Sequence, residues 1–102
     1  MKIGQYVQQG DVLVVRIAEI KGKKLNHKTL ATGEATGHHH TITEGDAELY
    51  EQDGTMFLRV NSENATLTHQ EHKPVILPKG DYEVGRVKEY DHFSEEARRV
   101  AD

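Results

Sequence analysis

The chain has 102 residues, 35% of them apolar and 29% charged, with a net charge of -4 and no cysteine. This length suits one modest core in a single domain over 1–102, and without thiols any bound ion must be held by nitrogen and oxygen. The acidic balance makes nucleic acid an unlikely partner, no apolar run approaches the roughly 20 residues of a membrane span, and an N-terminus without an apolar segment points to a cytoplasmic protein.

In chain order, "DVLVVRIAEI" is a β-branched run of strand length, and Val12, Val14 and Ile20 mark its buried side. Lys21 to Lys28 is polar and reads as a loop, and its "KGKK" cluster is a solvated one. "TLATGEATG" has small residues and two glycines, which predict a bulge or sharp bend, and "HHHTIT" follows as a strand. "AELYEQDGTMFLRV" alternates on either side of Asp53-Gly54, a pair suited to a type I′ turn, so a hairpin is expected here. "NATLTH" is a further strand, and "HKPVILPKGDYEVGRVKEY" reads as two more separated by a Pro78-Lys79-Gly80 turn. The closing "SEEARRVAD" allows a short C-terminal helix. The expected fold is all-β: a small antiparallel barrel or sandwich of about seven or eight short strands.

The histidines carry the chemistry. Seven are present, three of them consecutive at His38 to His40, mid-chain and flanked by patterned sequence rather than terminal like an expression tag. Residues two apart on a strand share a face, so His38, His40 and Ile42 face one way while His39, Thr41 and Thr43 face the other. The same rule groups Ala65, Leu67 and His69. Two strands that each combine histidine with an aliphatic residue on one face suit a metal site, the aliphatics filling the floor while the imidazoles converge above it. His38, His40 and His69 would supply three nitrogens to a divalent transition ion, zinc by default, and His72 in "HQEHKP" is the fourth candidate ligand. Glu71 between them is a ligand, an outer partner or a catalytic base, and Glu44 joins the face of His40 if the strand runs that far. Against this stands the plain alternative that His-X-His is a half-exposed polar strand. His27 and His92 read as surface residues, and Tyr50, Tyr82 and Tyr90 as packing residues.

Two resemblances attach to these residues. The run from Gly33 through His38, His40 and Glu44 resembles the first metal-binding motif of cupins, although the glycine spacing is one residue short and Pro78-Lys79-Gly80 follows the second histidine group instead of preceding it. Most of the chain, through "QQGDVLVVRI", "GEATGHHH", "LTHQEHKPVILPKGDYEVGRVKEYD" and "RRVAD", resembles a group of short uncharacterised proteins of bacteria and their phages. That resemblance implies that both histidine segments belong to one module.

The function these features suggest is a multi-histidine metal-binding β-protein, acting as a hydrolase or lyase if a coordination position stays open. The rival is a non-catalytic accessory protein, of a phage or mobile-element kind, whose histidines are polar groups at the interface of a homodimer or homotrimer. Unpaired strand edges and low apolar content suit such sharing of a core between subunits.

Overall fold

A computed structural model of the chain describes residues 1–32, 38–87 and 98–99. Nine β-strands follow one another: β1 Gln5–Gln9, β2 Val12–Ile17, β3 Lys23–Lys24, β4 Thr29–Thr32, β5 His39–Glu44, β6 Ala47–Gln52, β7 Thr55–Thr68, β8 Val75–Arg86 and β9 Arg98–Arg99. The sheet runs β3-β6-β7-β8-β2-β1-β9, with β5 also on β7 and β4 on β5, and every pairing is antiparallel except β1 with β9. No α-helix occurs among the described residues. The expected all-β class therefore holds, and among the described residues the ladder ends at β3 and β9 without closing into a barrel.

Two tight hairpins organise the chain. Asp53 and Gly54 have φ of 51° and 80° between the paired Gln52 and Thr55, the two positive values that a type I′ turn requires. The β1–β2 hairpin is equally short: Gln9 pairs with Val12 across Gly10 and Asp11, and Gly10 takes φ 59°. A glycine at the first central position with no positive φ at the second is the pattern of a type II′ turn.

The longest strands, β7 and β8, run alongside one another and carry most of the core. Their alternation changes phase midway. Leu58 and Val60 of β7 and Tyr82 and Val84 of β8 are buried, and beyond the register break between Val60 and Asn64 the buried positions become Ala65, Leu67 and Leu77. A slip of one residue turns a strand's side chains to the opposite face, so an irregularity in both strands is needed to keep each half on the core. Asp46 holds this break from the side, its carbonyl accepting from the amides of Asn61 and Ser62. The core is completed by Val12 and Val14 of β2, Leu30, Ile42, Ala47 and Leu49. Tyr82 is fully buried, donates its hydroxyl to the Pro78 carbonyl, and has its phenol pushed up to about 12 by burial, in keeping with a packing role.

Four local expectations are corrected. Pro78-Lys79-Gly80 is not a turn between strands; it lies inside β8, where the ladder is already re-phased and a proline amide is not required. "NATLTH" is not separate either, because β7 continues through Asn61–Asn64 to Thr68. Lys23 and Lys24, within the expected loop, pair with Glu51 and Tyr50. Of the segment read as a short helix, Arg98 and Arg99 are extended against β1, and the rest lies outside the described residues, as do His92, Tyr90 and the Gly33 to Gly37 part of the cupin-like run.

Candidate metal centre

The site forms where the β1–β2 turn, the start of β5 and the end of β7 meet. Ile42 pairs with Leu67 and Thr41 with Thr68, so one further step along the ladder sets His40 opposite His69. Cross-strand neighbours at such positions touch. Their ring centroids are 4.3 Å apart, and the rings are tilted by 33°. His69 also lies 5.6 Å from His38 and 4.7 Å from His72, while His40 and His72 are near-parallel at 6.2 Å. All four histidines singled out in the sequence therefore come together.

They are not equivalent. His40 is only 2% exposed, whereas His38 and His69 are half-buried and His72 is exposed. Its one equally buried polar companion among the described residues is Gln9, at the end of β1. The Gln9 amide nitrogen donates to the carbonyls of Leu67 at 3.0 Å and Lys73 at 2.9 Å, which fixes which end of the amide is which. Its oxygen therefore faces the imidazole, and the 2.8 Å contact with His40 Nδ1 is donation from a protonated Nδ1. In the neutral ring the lone pair then belongs to Nε2. Gln9 thus does three things: it ties β1 to β7, which are not ladder neighbours, it holds the loop after β7, and it sets the His40 tautomer.

Nε2 of His40 points towards Asp11, whose Oδ1 is 3.8 Å away, and the other Asp11 oxygen accepts from Arg86. Burial, then the neighbouring His69, lowers the His40 pKa to about 4 despite Asp11, so the ring is neutral at pH 7. Burial acts to raise the Asp11 carboxyl, but the hydrogen bond and charge of Arg86 outweigh it and hold the pKa below the usual value. Desolvation, then the charges of His72 and His38, lowers His69. Neutral imidazoles are the form that binds metal.

Gly10 matters here for its missing side chain. A Cβ at this position would lie 2.7 Å from Nε2 of His72 and 3.4 Å from Cε1 of His40. The glycine that forms the turn also makes room for the rings.

Glu71 sits at the rim, with its carboxylate 3.8 Å from Nδ1 of His38 and its amide donating to Nδ1 of His69 at 3.1 Å. His39 is on the opposite side of β5 from His40, as alternation requires, and its amide donates to Gln70. Glu44 is exposed and lies past a register shift between Ile42 and Glu44, which takes it off the regular alternation from His40. His27 is an exposed loop residue that accepts from Thr29, as expected. Among the described residues no three His, Asp or Glu side chains stand in ready coordination geometry. The rings pack against one another, and Nδ1 of His69 is engaged by the Glu71 amide. Coordination of an ion here would require the exposed rings to turn while His40 stays in place.

Gln9, Gly10, Asp11 and Arg86 were absent from the sequence-based site. A signal for the first three existed: Gly-Asp between "QYVQQ" and "VLVV" is a two-residue hairpin junction of the kind that fixes register, and it places Gln9 and Asp11 at a strand end. Their nearness to His40 is tertiary and has no local signature.

Residues 8–87 match a family model described as a domain of unknown function (DUF8820), a span that contains both histidine segments together with Gln9, Asp11 and Arg86. Neither a curated protein nor a solved structure matches the chain. The match extends over most of the chain, which belongs to the DUF8820 family.

Proposed function

We propose that this β-domain binds a divalent transition ion through His38, His40, His69 and His72, with zinc as the default among ions that accept nitrogen donors. The observation that carries the reading is the state of His40: buried, neutral, with Nδ1–H held by Gln9, Nε2 facing the Asp11 carboxylate, and its ring beside those of His69 and His72. Metal-binding histidines characteristically donate their second ring nitrogen to a fixed acceptor, which sets tautomer and orientation. If one position stays open, the ion would supply Lewis acidity, and Glu71, at the rim beside His38, would move the proton in a hydrolase or lyase reaction. The lack of cysteine in the chain suits a cytoplasmic setting.

The test is elemental analysis and chelator competition on protein purified without an affinity tag. One ion per chain retained at micromolar chelator, and lost in His40→Ala, is the expected result. Substoichiometric metal that is unaffected by His40→Ala overturns the reading.

A homodimeric or homotrimeric accessory protein is the second reading, favoured by Ile76, which stands 57% exposed on the outer side of β8. Sedimentation of the wild-type chain and of Ile76→Lys separates it: a metal-free oligomer that dissociates in the variant supports an interface role.

A further inference from the structure

Resting on the reading of the histidine cluster as a metal centre, we infer that Asp11 is an oxygen ligand of the same ion, which makes the centre a mixed imidazole–carboxylate site opened by the β1–β2 turn. Asp11 Oδ1 lies 3.8 Å from Nε2 of His40, the atom whose lone pair the Gln9 contact leaves free. An ion about 2.1 Å from each of two donors reaches both when they are up to about 4.2 Å apart, and a tetrahedral angle brings them to about 3.4 Å. The two atoms are thus already within reach of a shared ion, and a shift of about half an ångström gives the regular geometry. Asp11 is placed to make that shift, since its side chain is 60% exposed at the tip of a two-residue turn.

Both members of this pair are oriented from behind. Gln9 holds the far nitrogen of His40, and Arg86, at the end of β8, holds the far oxygen of Asp11. The remaining donor atoms, one on each residue, face one another. Ligands in metal sites are commonly fixed in this way by partners that do not touch the ion. Asp11 and His40 would be the ordered half of the site, and His69 and His72 the half that closes on binding. The donor set also narrows the metal. Imidazole with carboxylate suits zinc, cobalt(II) or iron(II), while soft copper(I) favours sulfur ligands. A carboxylate beside the buried His40 also offsets part of the ion's charge, which an all-imidazole set does not.

The bland alternative is that Asp11 and Arg86 form only a surface ion pair closing the hairpin on β8. Exposed pairs of that kind contribute little to stability and have no effect on a neighbouring ion's spectrum.

Cobalt(II) is the probe, added to the metal-free full-length chain and followed by its visible absorption bands and by chelator competition. Asp11→Asn, which keeps the shape of the side chain, is expected to weaken cobalt(II) and zinc binding at least tenfold and to shift the cobalt bands, while the metal-free variant keeps a cooperative melt. Wild-type affinity and bands in Asp11→Asn, alongside loss of binding in His40→Ala, overturn the assignment of Asp11 and leave the histidine site standing. No stoichiometric cobalt or zinc binding by the wild-type chain overturns the metal centre itself, and the Asp11 assignment with it. Should Asp11→Asn fail to fold, Asp11→Glu decides: weakened binding with altered bands supports a coordinating carboxylate, and unchanged binding and bands refute it.

Discussion

Replacing Gln9 by leucine tests the arrangement on which the site depends. The side chain is 2% exposed and all its polar atoms are engaged: two donations to the Leu67 and Lys73 carbonyls and one acceptance from His40 Nδ1. Leucine fills similar space and makes none of these bonds. A buried polar group left without its partner costs about 1–3 kcal/mol, and three groups are affected. The full cost is not incurred at each, because the Lys73 carbonyl is only partly buried and His40 can change tautomer or turn. A net destabilisation of about 3 kcal/mol follows. For a domain of this length that lowers Tm by roughly 12–24 °C, a large part of a typical stability of about 5–15 kcal/mol.

The assay has two parts. Thermal melts of the metal-free wild type and variant read the stability loss, and long-range nitrogen NMR of the histidine rings reads the tautomer. The wild type should show His40 with Nδ1 protonated, and the variant should lose that preference. A Tm change under about 4 °C, or a wild-type His40 with its proton on Nε2, would refute the reading of Gln9 as the group that fixes the ring.

Other consequences follow from the same geometry. For metal-free protein, His40 has a folded pKa near 4 and an unfolded one near 6.5, so between these values the unfolded chain binds the extra proton and stability falls as pH decreases. Urea unfolding at pH 7.5 and 4.5 should differ by up to about 3 kcal/mol from this group, a difference that His40→Phe removes; a slope unchanged in that variant assigns the effect elsewhere. Gly10→Ala puts a methyl group 2.7 Å from Nε2 of His72 at a residue with φ 59°, and should cost on the order of 1–2 kcal/mol while weakening ion capture, as read by melts and chelator competition. His39→Ala should leave metal stoichiometry unchanged, and His69→Ala should reduce it as severely as His40→Ala. Equal loss from His39→Ala would show that alternation along β5 does not select the ligands.

What was legible in the sequence was what depends on neighbours along the chain. The period of two along "HHHTIT" placed His40 and Ile42 inward and His39 outward, and the Asp-Gly pair fixed the β6–β7 hairpin, because one face and one turn are local properties. The re-phasing of β7 and β8 was not legible. Pro78 and Gly80 are ordinary turn residues, and only the facing irregularity at Asn61–Glu63 reveals that they bend one strand instead of ending it. β1 was missed because "QYVQQ" has a single aliphatic residue, and Gln9 because a glutamine at a strand end looks like a solvated residue until β7 closes over it.

The division between an ordered His40 and three more accessible rings bears on how such a site works. His40 is kept neutral by burial, which would spare a bound ion the competition of a proton but makes the fold itself sensitive to acid. The accessible rings carry the opposite compromise. His69 and His72 would turn towards an ion at little structural cost, yet their exposure leaves them less firmly placed to hold it. Their ring contacts with one another and with His40 also hold them beside it, which would limit the entropy lost on closing around an ion. A site made entirely of buried imidazoles would bind more tightly but would leave several neutral polar rings to be satisfied in the core when empty. With one buried ring satisfied by Gln9 and the rest towards solvent, no buried side-chain polar atom among the described residues lacks a partner. The polar groups of the fold are therefore satisfied without an ion, and an ion bound at the proposed centre would add its binding energy to the stability of the domain.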